Sequence, residues 1–145
     1  MKFEEFHTGQ LIDAGSVTVS QEQITSFARE FDPQWFHIDP PRATASRWNG
    51  LIASGWHTCC LAMKLIVDHV LADSESFGSP GLTNLNWPNP VRPGDRLTLQ
   101  VEVVDVRKAR SRPTLGIVRW TWRMRNQRDA EVLSLEATSL FELDR

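Results

Sequence analysis

The sequence predicts an α+β fold in which one antiparallel sheet wraps around a long buried helix. From about Ala53 to Leu71 almost every residue is apolar, and only His57, Thr58, Lys64, Asp68 and His69 interrupt the run. A helix that is apolar nearly all round belongs inside a protein. Downstream the period changes to two: Leu97, Leu99, Val101 and Val103 alternate with polar residues, as do Val118, Trp120, Trp122 and Met124, then Leu133, Leu135 and Ala137. Such alternation gives each strand one dry and one wet face, the mark of an antiparallel sheet. The compact way to combine the two is a sheet curved around the helix.

The elements follow in order. Residues 10–19 form a strand, ending in Val17, Thr18 and Val19. Ser20 and Gln23 then stand as the two ends of a capping box. The helix they open places Ile24, Phe27, Ala28 and Phe31 on one face and stops at Asp32, because a residue before proline is pushed out of the helical region. A polar, proline-containing connection runs from Asp32 to Gly50, with one helical turn near 41–46. The central helix follows, with Lys64 and Asp68, four apart, on its one polar stripe. A Gly- and Pro-rich stretch, 79–94, connects it to the strands, and Asn126 to Asp129 make a hairpin turn.

The 145 residues are 41 % hydrophobic and 23 % charged, and the formal net charge is −2. This is ordinary globular usage for one domain spanning 1–145. No whole-molecule field attracts nucleic acid or anionic lipid, and no run reaches the length of a membrane span, so neither partner is expected. The adjacent Cys59 and Cys60 build no disulfide framework, and Met1 to Glu5 lacks a signal-peptide profile. The expected setting is therefore cytoplasmic. The histidines and cysteines lack zinc-ligand spacing, so no metal is expected. Arg107, Lys108, Arg110 and Arg112 form a basic cluster that suits a solvated hairpin tip or the phosphates of a cofactor.

Two places hold chemistry. Asp32 and His37 lie just past a helix end among Phe31, Trp35 and Phe36. Histidine titrates near neutrality and a nearby carboxylate orients it or activates water. The same residues also serve as a turn cap and a polar-loop histidine, and the spacing alone leaves both readings open. Leu51-Ile52-Ala53-Ser54-Gly55-Trp56 leads into the central helix, where free N–H groups beside a glycine suit a developing oxyanion, or simply a helix entry.

In combination these segments resemble the MaoC-like dehydratases, including the (R)-specific enoyl-CoA hydratases, which have the hotdog fold. Asp32…His37-Ile38-Asp39 is similar to the family's D-x4-H-x-D string, Leu51 to Gly55 to its entry into the central helix, and Pro90-Val91-Arg92-Pro93-Gly94-Asp95 to its turn into a strand. The resemblance runs along essentially the whole chain. It implies a single hotdog and a hydratase/dehydratase that adds water across the α,β double bond of an enoyl thioester in fatty acid metabolism. It makes Asp32 and His37 the catalytic pair and the backbone N–H of Gly55 the oxyanion donor. Trp35, Ser54 and Trp56 become substrate-contacting candidates.

No cofactor is implied beyond the thioester itself, carried on coenzyme A or an acyl carrier protein. A homodimer, or an oligomer built on it, is expected, with the sheets joined edge to edge. Gln34-Trp35 stands where the family has Asn-Pro, and Met63 where it often has a hydroxyl. Two other readings stay open: a hotdog thioesterase, for which Asp68 is the available helix carboxylate, and a non-catalytic acyl-thioester-binding subunit.

Overall fold

The computed structural model describes residues 1–144. Five strands, β1 (Leu11–Thr18), β2 (Ser76–Asn86), β3 (Arg96–Lys108), β4 (Leu115–Arg125) and β5 (Glu131–Glu142), form one antiparallel sheet in the order β1-β3-β4-β5-β2. Four helices lie between β1 and β2: α1 (Gln21–Phe31), α2 (Trp35–Ile38), α3 (Pro40–Thr44) and α4 (Gly55–Ile66), the last continuing into a π-helical turn over Val67–Leu71. This is the hotdog arrangement, with α4 packed against the sheet. The period-two segments are the three middle strands, and their alternating residues are the core: Leu97, Leu99, Val118, Trp120, Met124 and Leu133 are all fully buried. Trp120 and Trp122 meet edge to face inside that core.

The helix boundaries follow from local chemistry. Ser20 and Gln23 close a reciprocal capping box, Gln23 N–H donating to Ser20 Oγ at 3.1 Å and Ser20 N–H to Gln23 Oε1 at 2.8 Å. Asp32 ends α1, and Asp39 caps α3 by accepting the Arg42 N–H at 3.2 Å. The β4–β5 hairpin turn is held by Asn126, whose side-chain oxygen accepts from Arg128 and Ala130, each at 3.0 Å.

Three expectations need correction. The central helix begins at Gly55 rather than Ala53, turns π-helical over its last five residues, and is not buried all round. His57, Ala62, Leu65 and Ile66 face inward, but Trp56, Met63 and Val67 are 58 %, 43 % and 39 % exposed, and Cys60 shares their side. Residues 56, 60, 63 and 67 repeat at helical spacing, so α4 carries a second apolar stripe that its own sheet does not cover. Hydrophobicity alone does not distinguish a face covered within the chain from one left for something else.

The Gly- and Pro-rich connection holds a strand. β2 lies at the sheet edge, where Pro80 costs no ladder bond and irregular register absorbs the glycines. Finally, the loop after Asp32 winds into the short helix α2, which had no apolar period to announce it.

Candidate active site

Asp32 sits where α1 stops and His37 near the end of α2, so the tight Pro33-Gln34 bend turns their side chains toward each other. His37 Nε2 and Asp32 Oδ2 are 3.2 Å apart, with the imidazole 6 % and the carboxylate 17 % exposed. The other ring nitrogen, Nδ1, lies 2.7 Å from the Ile52 carbonyl oxygen. A carbonyl only accepts, so Nδ1 carries a proton, and Nε2 is the nitrogen that gains or loses one beside the carboxylate. Phe36 packs edge-on against the ring at 4.3 Å and restricts its rotation.

Asp32 is held on both oxygens. Ser54 donates its hydroxyl to Oδ2 at 2.7 Å, and Gln34 donates its amide to Oδ1 at 2.8 Å. Burial pushes the Asp32 carboxyl up, but the bonds from Gln34 and Ser54 and the facing His37 outweigh it, so the group sits below the ordinary carboxylate range. It is therefore ionised at neutral pH, and its negative charge faces His37 Nε2.

Ser54 precedes α4, and its carbonyl accepts the N–H groups of His57 and Thr58. Gly55 is the first residue of α4, a position whose N–H has no intrahelical acceptor. Asp32, His37 and Gly55 all line one cavity of about 400 Å³. Its other walls are Trp48, Ile52, Trp56, Thr58, Val132 and the string Trp87-Pro88-Asn89-Pro90-Val91.

Of the residues singled out from sequence, Asp32, His37, Gly55 and Trp56 converge on this cavity. Ser54 is fully buried behind it and acts on Asp32. Trp35 does not line it: its ring packs against Phe36 and lies under the Arg42 guanidinium at 4.6 Å. The short helix α2 places His37 inward, and Trp35, two residues earlier, falls on a different side. None of Arg107, Lys108, Arg110 and Arg112 lines the cavity; they sit at the β3–β4 hairpin end, where Arg112 pairs with Glu142 at 2.9 Å. Asp68 lies past α4 and is paired with Lys64 at 2.6 Å. Among the described residues no three His, Cys, Asp or Glu side chains cluster to hold a metal ion.

Trp87 was missed. A Cβ on Gly55 would stand 2.4 Å from its indole, so the glycine is required here by the space the ring takes. The only signal was Trp87-Pro88-Asn89-Pro90 itself, an aromatic residue in a string too rigid for an ordinary linker.

A hotdog whose helix entry lies beside a close Asp–His pair across a small aromatic-walled cavity defines a class of protein. The chain belongs to the MaoC like domain family, whose match covers residues 4–120. It is 34 % identical over 142 residues to the uncharacterized protein YdeM of Bacillus subtilis (strain 168), covering 98 % of this chain and 99 % of that one. A crystal structure of the MaoC-like dehydratase from Rhodospirillum rubrum superposes with a TM-score of 0.89 at 36 % identity, covering 98 % of this chain and 97 % of that one. The 3-hydroxyacyl-thioester dehydratase Z of Mycobacterium tuberculosis (strain ATCC 25618 / H37Rv) is 33 % identical over 92 residues, 62 % of this chain and 61 % of that protein.

Proposed function

We propose that this protein is a hydratase/dehydratase of enoyl thioesters, with Asp32 and His37 as its acid–base pair. The observation that carries this reading is the 3.2 Å Asp32–His37 contact in a cavity that Gly55, the first residue of α4, also lines. In the hydration direction the pair orients a water whose oxygen bonds to the β-carbon while its proton passes to the pair. The π electrons of the α,β bond move toward the carbonyl, and the Gly55 N–H donates to the resulting enolate oxygen. The enolate collapses as the pair returns a proton to the α-carbon. The proton count closes without any other reactant. One such oxyanion donor is worth about 2.7–4 kcal/mol of barrier. The thioesterase alternative needs a carboxylate at the thioester carbon, and Asp68 is tied to Lys64 instead.

The working unit in this proposal is a homodimer joined through β2. That edge is exposed along nearly its whole length, with Phe77 at 52 % and Leu82 at 47 %, and α4 carries its second apolar stripe. Open strand edges are pairing templates, and a twofold axis would pair β2 with its own copy.

Incubation with crotonyl-CoA separates the readings. Loss of the enone absorbance with no free thiol supports hydration; thiol release would mean a thioesterase, and binding without turnover a non-catalytic subunit. Sedimentation across a dilution series tests the dimer: activity per chain is expected to fall as the monomer forms, and a fully active monomer would refute it.

A further inference from the structure

Trp87 takes no part in the proton chemistry, yet it is built into the cavity from three sides. Its indole covers Gly55, approaching a hypothetical Cβ there to 2.4–2.7 Å with three ring atoms. It meets Trp56 edge to face at 5.6 Å. Pro88 and Pro90 stiffen the segment that follows, and Asn89 donates its side-chain amide to the Glu131 carbonyl at 2.9 Å, tying the segment to β5. The segment is anchored there, and the ring, 42 % exposed, forms one wall of the cavity.

We propose that Trp87 limits the acyl group this cavity takes, restricting it to short, uncharged chains. The inference rests on the thioester reading above. A carbonyl oxygen held by the Gly55 N–H puts the acyl carbons beside Gly55 on the outer side of α4. Cys59 and Met63 lie roughly 6 and 12 Å further along that helix, and Trp87 stands over its entry at Gly55. A chain extending that way meets the indole within a few carbons. Beyond the ring the helix surface is apolar, with Met63 and Val67 exposed, so among the described residues of one chain the ring is the obstacle a longer acyl group meets first. The charge requirement comes from the lining: among the described residues its titratable side chains are Asp32 and His37, and no lysine or arginine lines it to meet an acyl carboxylate. Each methylene in an apolar pocket changes discrimination roughly 10- to 200-fold, so one indole can set chain length.

The test uses saturated butyryl-CoA and dodecanoyl-CoA, which cannot be hydrated. Their affinities are measured by calorimetry on the wild type, Trp87→Ala and Trp87→Phe, beside hydration of crotonyl-CoA and dodecenoyl-CoA. The wild type is expected to bind dodecanoyl-CoA no more tightly than butyryl-CoA. Trp87→Ala should shift the long-to-short affinity ratio at least tenfold toward the long chain, while Trp87→Phe stays near the wild type. If the alanine variant does not fold, Trp87→Leu reads the same ratio, and thermal melting identifies that case. An unchanged ratio overturns the proposal, as does failure of the wild type to bind any thioester. A shifted affinity ratio with no hydration of either enoyl-CoA supports the role of Trp87 and removes the hydratase reading instead.

Discussion

His37 and His57 are buried almost equally, at 5 % and 7 % exposure, on opposite sides of the α4 entry, and their surroundings differ in kind. His37 has a partner on each ring nitrogen, one a carbonyl and one a carboxylate. His57 stacks flat on Phe27, with ring centroids 4.7 Å apart and planes 8° from parallel, and its Nδ1 has no hydrogen-bond partner. Burial there pushes the imidazole pKa down with nothing to oppose it. Burial alone produces a neutral, packed aromatic ring; a wired ring beside a charge is what moves protons.

The largest effects should follow from cutting that wiring. Asp32→Asn and His37→Ala are each expected to lower kcat on an accepted enoyl thioester by roughly 10²–10⁴, the range of general acid–base catalysis. Circular dichroism should be unchanged, since neither side chain belongs to the hydrophobic core. Either variant retaining full activity would falsify the pairing.

Ser54→Ala sharpens the comparison by loosening one strand of the wiring. It removes the 2.7 Å hydrogen bond that helps hold the Asp32 carboxyl low. The Asp32 pKa then rises toward its ordinary value, so the acid limb of the rate profile moves to higher pH. The loss at neutral pH should be about tenfold, in line with a charge-assisted hydrogen bond of roughly 1.5–3 kcal/mol only part of which bears on the transition state. A pH–rate profile superimposable on the wild type would show that Ser54 is only a helix-entry residue.

His57→Phe should have the smallest effect on rate, within a factor of two, and a visible effect on stability. An unpartnered buried polar atom costs about 1–3 kcal/mol, and phenylalanine keeps the stack on Phe27 without it. The pH dependence has a definite sign. The folded His57 titrates below its unfolded value, so the unfolded chain binds the proton first as pH falls through the ordinary histidine range. Wild-type stability therefore declines from that range downward. Urea denaturation at pH 7 and pH 5 should show the variant's advantage growing at the lower pH; a constant difference would mean that His57 already carries a partner.

What could be read in the chain was whatever has a local cause. The alternation of β3, β4 and β5 reports one buried face, and the Ser20–Gln23 box and the Asp32-Pro33 stop report capping and steric rules. Asp32, His37 and Gly55 were legible because short loops and a helix entry deliver them to fixed places along the chain. Trp35 falls outside the cavity because the turn of α2 carries it to a different side from His37, and that turn leaves no apolar period in the sequence.

The sequence by itself determined that a helix would lie against an antiparallel sheet, since hydrophobic period is a property of neighbours along the chain. Only the tertiary structure decided which side of α4 the sheet covers, that a proline- and glycine-bearing segment would pair with β5 as β2, and that Trp87 would lie against Gly55, 32 positions earlier in the chain. Those outcomes depend on which surfaces meet across the fold. Burial and space between distant residues are set by packing, and packing has no period in the sequence.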